Sequence, residues 1–136
     1  MAKYDAFGIE LQKGGTAYAQ VTSLSGPGLS LDTEDVTSHD STGGWEEVVG
    51  TILRSGEITM DLVYDPAHAT HKYAAGGLIY DLVQKTPITL KLIFPDAATT
   101  EWDFDALVTG FEPTAPVDGA LTATAKFKLT GEPTLV

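Results

Sequence analysis

Residues 56–66 read GEITMDLVYDP, and the fold turns on how that stretch is taken. Ile58, Met60 and Leu62 alternate with Glu57, Thr59 and Asp61, so an extended chain puts the apolar side chains on one face and the polar ones on the other. That is a half-buried strand of an antiparallel sheet, with a core on one side and water or a partner on the other. Asp65-Pro66 then reads as a helix N-cap followed by proline at the first helical position, where a missing N–H costs nothing. A helix is predicted from there to Lys85, with Ala75, Leu78, Ile79 and Leu82 as its apolar stripe. Gly76-Gly77 inside it costs about 1 kcal/mol per glycine relative to alanine, which requires either a close helix–sheet contact or a break.

The same alternation extends in both directions. Upstream, Phe7, Ile9 and Leu11 form one strand, Gly14-Gly15 turns the chain, and Ala17, Ala19, Val21 and Leu24 form the next. After Gly26-Pro27-Gly28, residues 29–36 make a polar strand that faces solvent or a partner. Downstream, Ile88, Leu90 and Leu92 alternate with polar residues, as do Trp102, Phe104, Ala106 and Val108. Residues 110–116 are a proline-bounded connection, Asp118-Gly119 a turn, and residues 121–129 a long last strand. About seven strands and one helix define a mainly β chain: an antiparallel β-sandwich or partly open barrel with one flanking α-helix, a single domain over residues 1–136.

Composition narrows the function. Of 136 residues, 43% are hydrophobic and 20% charged, the balance of a globular chain with one core. There are no cysteines, which removes disulfides, thiolate metal sites and cysteine nucleophiles together. The N-terminal MAKYDAFGIELQKGG lacks the apolar run of a signal peptide, and no stretch has the length to cross a bilayer, so no membrane insertion is expected. A net charge of −11 opposes direct binding of nucleic-acid phosphates.

Three groups invite a catalytic or metal reading. Ser38, His39, Asp40 and Ser41 hold the parts of a nucleophilic triad, but neighbours in an extended chain point to opposite faces and the nucleophile-elbow motif is absent. They read as turn formers ahead of Gly43-Gly44. His68 and His71 lack an acidic partner at helical spacing and read as exposed residues in the first turns of the helix. Asp103 and Asp105 share a strand face without the oxygen-dense loop of a calcium site, and Lys126 and Lys128 offset them across the sheet. No catalytic residue, metal or cofactor is assigned.

Residues 37–55 break the alternation. The segment is polar at its start and apolar in its middle, too long for an idle connection in a compact domain. Trp45, Val48, Val49, Ile52 and Leu53 recur at roughly helical spacing, so either a short helix or an extended arm is open.

Residues 25–66, with their acidic threonine-containing strand, DVTSHDS turn, tryptophan-containing loop and following alternating strand, resemble the tail tube (major tail) proteins of long, non-contractile-tailed bacteriophages. The resemblance continues through the FPD turn at 94–96, the W-x-F strand at 102–104, the G-F-x-P corner at 110–113 and the closing G-x-P-T at 131–134. It implies a β-sandwich with a flanking helix, similar to the tube protein of type VI secretion. It also implies hexameric rings stacked into a hollow tail tube through which DNA passes without specific binding. The partners implied are further copies of the chain and other tail proteins such as the tape measure and terminator. The location implied is the virion tail, reached by assembly in the host cytoplasm. Some relatives carry an extra immunoglobulin-like domain; this chain is expected to lack it. On that reading residues 37–55 are an assembly arm, with Asp40, Trp45, Val48, Val49, Ile52 and Leu53 as inter-subunit or inter-ring contacts, while Glu57, Asp61, Asp103 and Asp105 face the lumen. Alternative readings are a carbohydrate-binding or adhesive β-sandwich module, a secretion-system tube component or a tail terminator, which fold alone does not separate.

Overall fold

A computed structural model of the chain describes residue 3 and residues 7–135. The remaining residues, which belong to the N-terminal stretch read above and to the final valine, lie outside the described residues. The strands are β1 (Glu10–Lys13), β2 (Thr16–Ala17), β3 (Val21–Ser25), β4 (Ser30–Asp35), β5 (Val48–Arg54), β6 (Glu57–Val63), β7 (Ile88–Ile93), β8 (Glu101–Thr114) and β9 (Thr122–Leu135), with one helix, α1 (Leu78–Gln84), between β6 and β7. Seven strands form one sheet in the order β2-β1-β7-β8-β9-β6-β3, every neighbour antiparallel, and β4 and β5 pair only with each other.

The predicted alternation sets which face is buried. Ile58, Met60 and Leu62 of β6 are fully buried, as are Leu90 of β7, Ala106 of β8 and Ala125 and Phe127 of β9, within one continuous apolar cluster. Alanines at 106, 123 and 125 leave room for Phe127 and Met60, the alternation of small and large side chains that fills a curved sheet's interior.

The sheet must roll up. Only Tyr18, Ala19 and Gln20 join β2 at one edge to β3 at the other. An extended tether of that length reaches about 14 Å, whereas the edges of a flat seven-stranded sheet lie roughly 29 Å apart. The link therefore draws the edges together into a partly open barrel. It also splits in two the single strand expected over residues 17–24. Tyr18, its first residue, turns inward and packs at a tilt against Phe127 with ring centroids 5.9 Å apart. Burial, with Asp81 adding to it, pushes the Tyr18 phenol well above its ordinary pKa.

The helix is shorter than predicted. Asp65 Oδ1 accepts the Ala67 N–H at 3.0 Å, but it starts a turn and not the helix: residues 66–77 form a series of turns and bends, and the helix N-cap is Gly77. Gly76-Gly77 is the break: a Cβ on Gly77 would sit 1.8 Å from the Lys72 carbonyl oxygen, so the backbone folds back on itself there, and α1 starts only at Leu78. Ala75 is accordingly exposed instead of joining an apolar stripe. Leu78 enters the core, and Asp81, buried, pairs with Lys13 of β1. Other differences lie at strand ends: the first strand starts at Glu10 rather than Phe7, and β8 runs on to Thr114, into the connection expected at 110–116, because Gly110 to Thr114 pair with Lys126 to Thr122.

His71 is fully buried, contrary to its reading as an exposed helix residue. Its Nδ1 accepts the Asp65 N–H at 3.2 Å, so its Nε2 carries the proton and donates to the Ala19 carbonyl at 2.8 Å. The ring thereby ties the 64–77 loop to the edge-to-edge tether, and Thr70 adds a second tie by accepting the Ala19 N–H at 3.3 Å. Replacing His71 with alanine takes the partner from two part-buried backbone groups and empties a fully buried site; His71→Ala is expected to lower stability by about 1–3 kcal/mol, read as a shift of the urea midpoint with unchanged slope.

Candidate assembly interface

The β4–β5 ribbon leaves the barrel between β3 and β6. Its root is tight: a Cβ on Gly56 would lie 2.5 Å from the Gly28 oxygen, and one on Gly26 would lie 2.2 Å from the Glu57 oxygen. Beyond the root the ribbon has no sheet beneath it, and every residue of β5 is exposed. An isolated two-stranded ribbon is marginally stable in water, so this one is suited to being covered.

Its two faces differ. The register sets Leu31 opposite Leu53, Thr33 opposite Gly50 and Asp35 opposite Val48, with Leu31 lying over Gly50. The other face carries Asp32, Glu34 and Arg54 together with Val49, which stands opposite Glu34; Arg54 donates to Asp32 Oδ2 from Nε at 2.9 Å. Between Leu31 and Thr33, Thr51 and Ile52 oppose the single residue Asp32, a β-bulge. That bulge explains the helical spacing in the sequence: one extra residue shifts the parity, so Val48, Gly50 and Leu53 share a face at intervals of two and three. The segment is therefore a strand, and the helical alternative is excluded; the only helical element in residues 37–55 is a single 3-10 turn at Thr42–Gly44.

The Ser38–Ser41 cluster is a closed turn. Ser41 Oγ accepts the Ser38 N–H at 3.0 Å, and Ser38 Oγ accepts the Asp40 N–H at 3.3 Å. Both hydroxyls are thus engaged by backbone, and no hydrogen bond joins the His39 ring to a serine or an aspartate among the described residues. Thr37 locks the base of the turn, its hydroxyl accepting the Glu47 N–H at 2.8 Å. Trp45 comes next, 78% exposed with its indole against Gly43, and Leu53 is 80% exposed.

The structure thus places the expected contact residues Asp40, Trp45, Val48, Val49, Ile52 and Leu53 on one projecting element, all exposed. Sequence reasoning missed Leu29, Leu31 and Leu135. The first two stand on the strand read as polar; with Leu53, Pro133 and Leu135 of β9, Leu29 lines a groove of about 520 Å³ at the ribbon's root. The alternation of Leu29 and Leu31 was the available signal. A contiguous apolar surface of this kind marks an interaction site, and covering each large side chain is worth about 1.5–3 kcal/mol.

The four acidic residues expected at a lumen wall all lie on the barrel's outer face, but not alone. Glu57 stands opposite Lys128, and Asp61 accepts a hydrogen bond from Thr124 Oγ1 at 2.9 Å. Asp105 accepts one from Thr89 Oγ1 at 3.1 Å, while Asp103, half-buried opposite Lys91, keeps one carboxylate oxygen buried and unpartnered. Lys91, Lys126 and Lys128 interleave with these carboxylates, making the face mixed rather than uniformly acidic.

No family model and no curated protein matches the sequence. Solved structures do. A chain of the native gene transfer agent virion is 15% identical, covers 98% of this chain and 99% of its own, and superposes with a TM-score of 0.75. A chain in the structure of an extracellular contractile injection system's sheath/tube terminator in the extended state is 12% identical over 100% of this chain and 98% of its own, with a TM-score of 0.74. The SPP1 tail tube is 12% identical over 90% of this chain and 72% of its own, with a TM-score of 0.53. The chain therefore has the fold of tail tube and tube-terminator proteins. Among the described residues no helix is long and apolar enough to cross a membrane.

Two carboxylates brace the ribbon, Asp32 on the face that carries Arg54 and Asp35 on the face that carries Val48. Asp32 sits below the ordinary aspartate pKa because Arg54 donates to it, and Asp35 because the Thr37 hydroxyl and amide do. A depressed carboxyl stabilises the fold above its ordinary pKa and loses that contribution as pH falls through the lower folded value. The ribbon is expected to loosen below about pH 4 while the barrel holds, seen by NMR as an upfield movement of the Thr37 amide that Met60 does not share.

Proposed function

We propose that the chain is the subunit of a phage-type tail tube: a structural virion protein, not an enzyme, forming stacked and hexameric rings through which DNA passes. The observation that carries this reading is the uncovered apolar ribbon on a fold shared with tube-forming proteins. A monomer gains nothing from keeping Trp45 and Leu53 in water; an assembly covers them. The domain is the barrel and the ribbon is its arm, with Asp40, Trp45, Val48, Val49, Ile52 and Leu53 meeting neighbouring subunits. Glu57, Asp61, Asp103 and Asp105 face the lumen, where carboxylates repel DNA phosphates over about 8–10 Å before salt screens them. The interleaved lysines moderate that field, so the wall resists adhesion without expelling DNA. The tape measure and a terminator at the tube's end are the expected heterologous partners.

A second reading, a terminator that caps a tube, is favoured by the near-equal likeness to a sheath/tube terminator. Negative-stain microscopy of the purified protein separates the two: long hollow tubes support the subunit reading, and single closed rings at all concentrations support the cap. Trp45→Ala combined with Leu53→Ala is expected to leave the monomer's circular dichroism and melting unchanged and to abolish tubes. Normal tubes from the double variant would remove the arm from assembly.

A further inference from the structure

The ribbon concentrates charge as well as apolar surface. Asp32, Glu34, Asp35, Asp40, Glu46 and Glu47 stand against Arg54 alone, which leaves −5 of the chain's −11 on residues 29–54. A surface that receives it needs exposed apolar side chains and positive charge, and among the described residues the loop before α1 and the helix itself supply both. In residues 66–87 the charged residues are Lys72, Asp81 and Lys85. Asp81 is buried and neutralised by Lys13, so the two exposed charges are lysines. Beside them Tyr73 and Val83 are more than half exposed; Tyr73 packs on Tyr80 with ring centroids 5.8 Å apart and accepts from Gln84 Nε2 at 3.4 Å, which holds this loop and α1 as one shoulder. Asp65, at the start of this loop, is partly occupied by the Ala67 N–H.

The two patches also lie far apart on the molecule. The ribbon joins β6 at Glu57, and the loop that carries Lys72 and Tyr73 leaves it after Val63. Ribbon and shoulder thus depart from opposite ends of a seven-residue strand, about 20 Å apart. Two complementary patches at opposite ends cannot satisfy each other within one molecule, nor in a two-fold dimer that uses one patch; they make a head-to-tail contact that repeats.

We propose that the acidic ribbon of one copy docks on the shoulder formed by Lys72, Tyr73, Val83 and Lys85 of the next. This rests on the tube-subunit reading and names the receiving surface within it. The chain's lack of cysteine gives a clean test. Glu47→Cys and Lys72→Cys chains, mixed and treated with a short bis-maleimide, are expected to give a cross-linked dimer that neither gives alone, and that Glu47→Cys mixed with Lys128→Cys does not give. Lys72→Glu with Lys85→Glu is expected to raise the concentration needed for assembly by about tenfold or more, and adding Glu46→Lys with Glu47→Lys to restore it. If the unsubstituted protein forms no rings or tubes, the assembly reading fails and the docking with it. If it assembles but the cross-link is missing and the lysine reversals assemble normally, the docking surface alone is wrong.

Discussion

The shortness of the tether Tyr18–Gln20 governs the architecture. It cannot join the edges of an open sheet, so it curls the sheet until they approach. The curl creates an interior, and the alternating residues of β6 to β9 fill it. It also creates a seam between β2 and β3, which do not pair. The 64–77 loop and α1 close over that region: His71 grips Ala19, Thr70 grips the same residue from its other side, and Asp81 reaches Lys13. A buried histidine with both ring nitrogens bonded, and a buried carboxylate held by a part-buried lysine, are costly to break, so they fix the loop in one arrangement.

With the barrel closed this way, the β4–β5 ribbon is left out. Its strands come after β3 and before β6, both already paired, and Gly26 and Gly56 let the backbones come so close at the root that the ribbon departs from the sheet. It then carries apolar side chains into solvent with only its own cross-strand pairs to hold them. Covering that surface is worth more than any single contact inside the monomer, which is why the proposed assembly suits the fold.

Charge divides along the same line. The barrel's outer face mixes carboxylates with Lys91, Lys126 and Lys128, so adjacent strands largely compensate one another. The ribbon has a single arginine and a net excess of negative charge. That inequality gives the projecting element a direction: like ribbons repel, and a ribbon is drawn to a lysine-bearing surface.

The strands and their buried face were legible in the order of residues alone, because period-two alternation is a local property and survives any arrangement of the sheet. Ile58, Met60 and Leu62 belonged to a core whichever strand lay beside them, and the Ser-His-Asp run was legible as a turn because neighbours cannot converge. That residues 37–55 break the alternation was legible through length and composition, but that residues 48–54 pair with residues 30–35 in one ribbon was not. Features set by distant residues were not, and they emerged with the folded chain. The break at Gly77 depends on the Lys72 carbonyl, the burial of His71 on Ala19, and the strand character of β5 on a bulge opposite Asp32 that imitates helical spacing. Leu29 and Leu135 stand far apart in the sequence and meet at one groove only because β9 runs past the ribbon's root. Alternation says which side of a strand faces inward; it says nothing about which strand comes next, and only the folded sheet set β6 between β3 and β9 with the ribbon at one of its ends and the loop to α1 at the other.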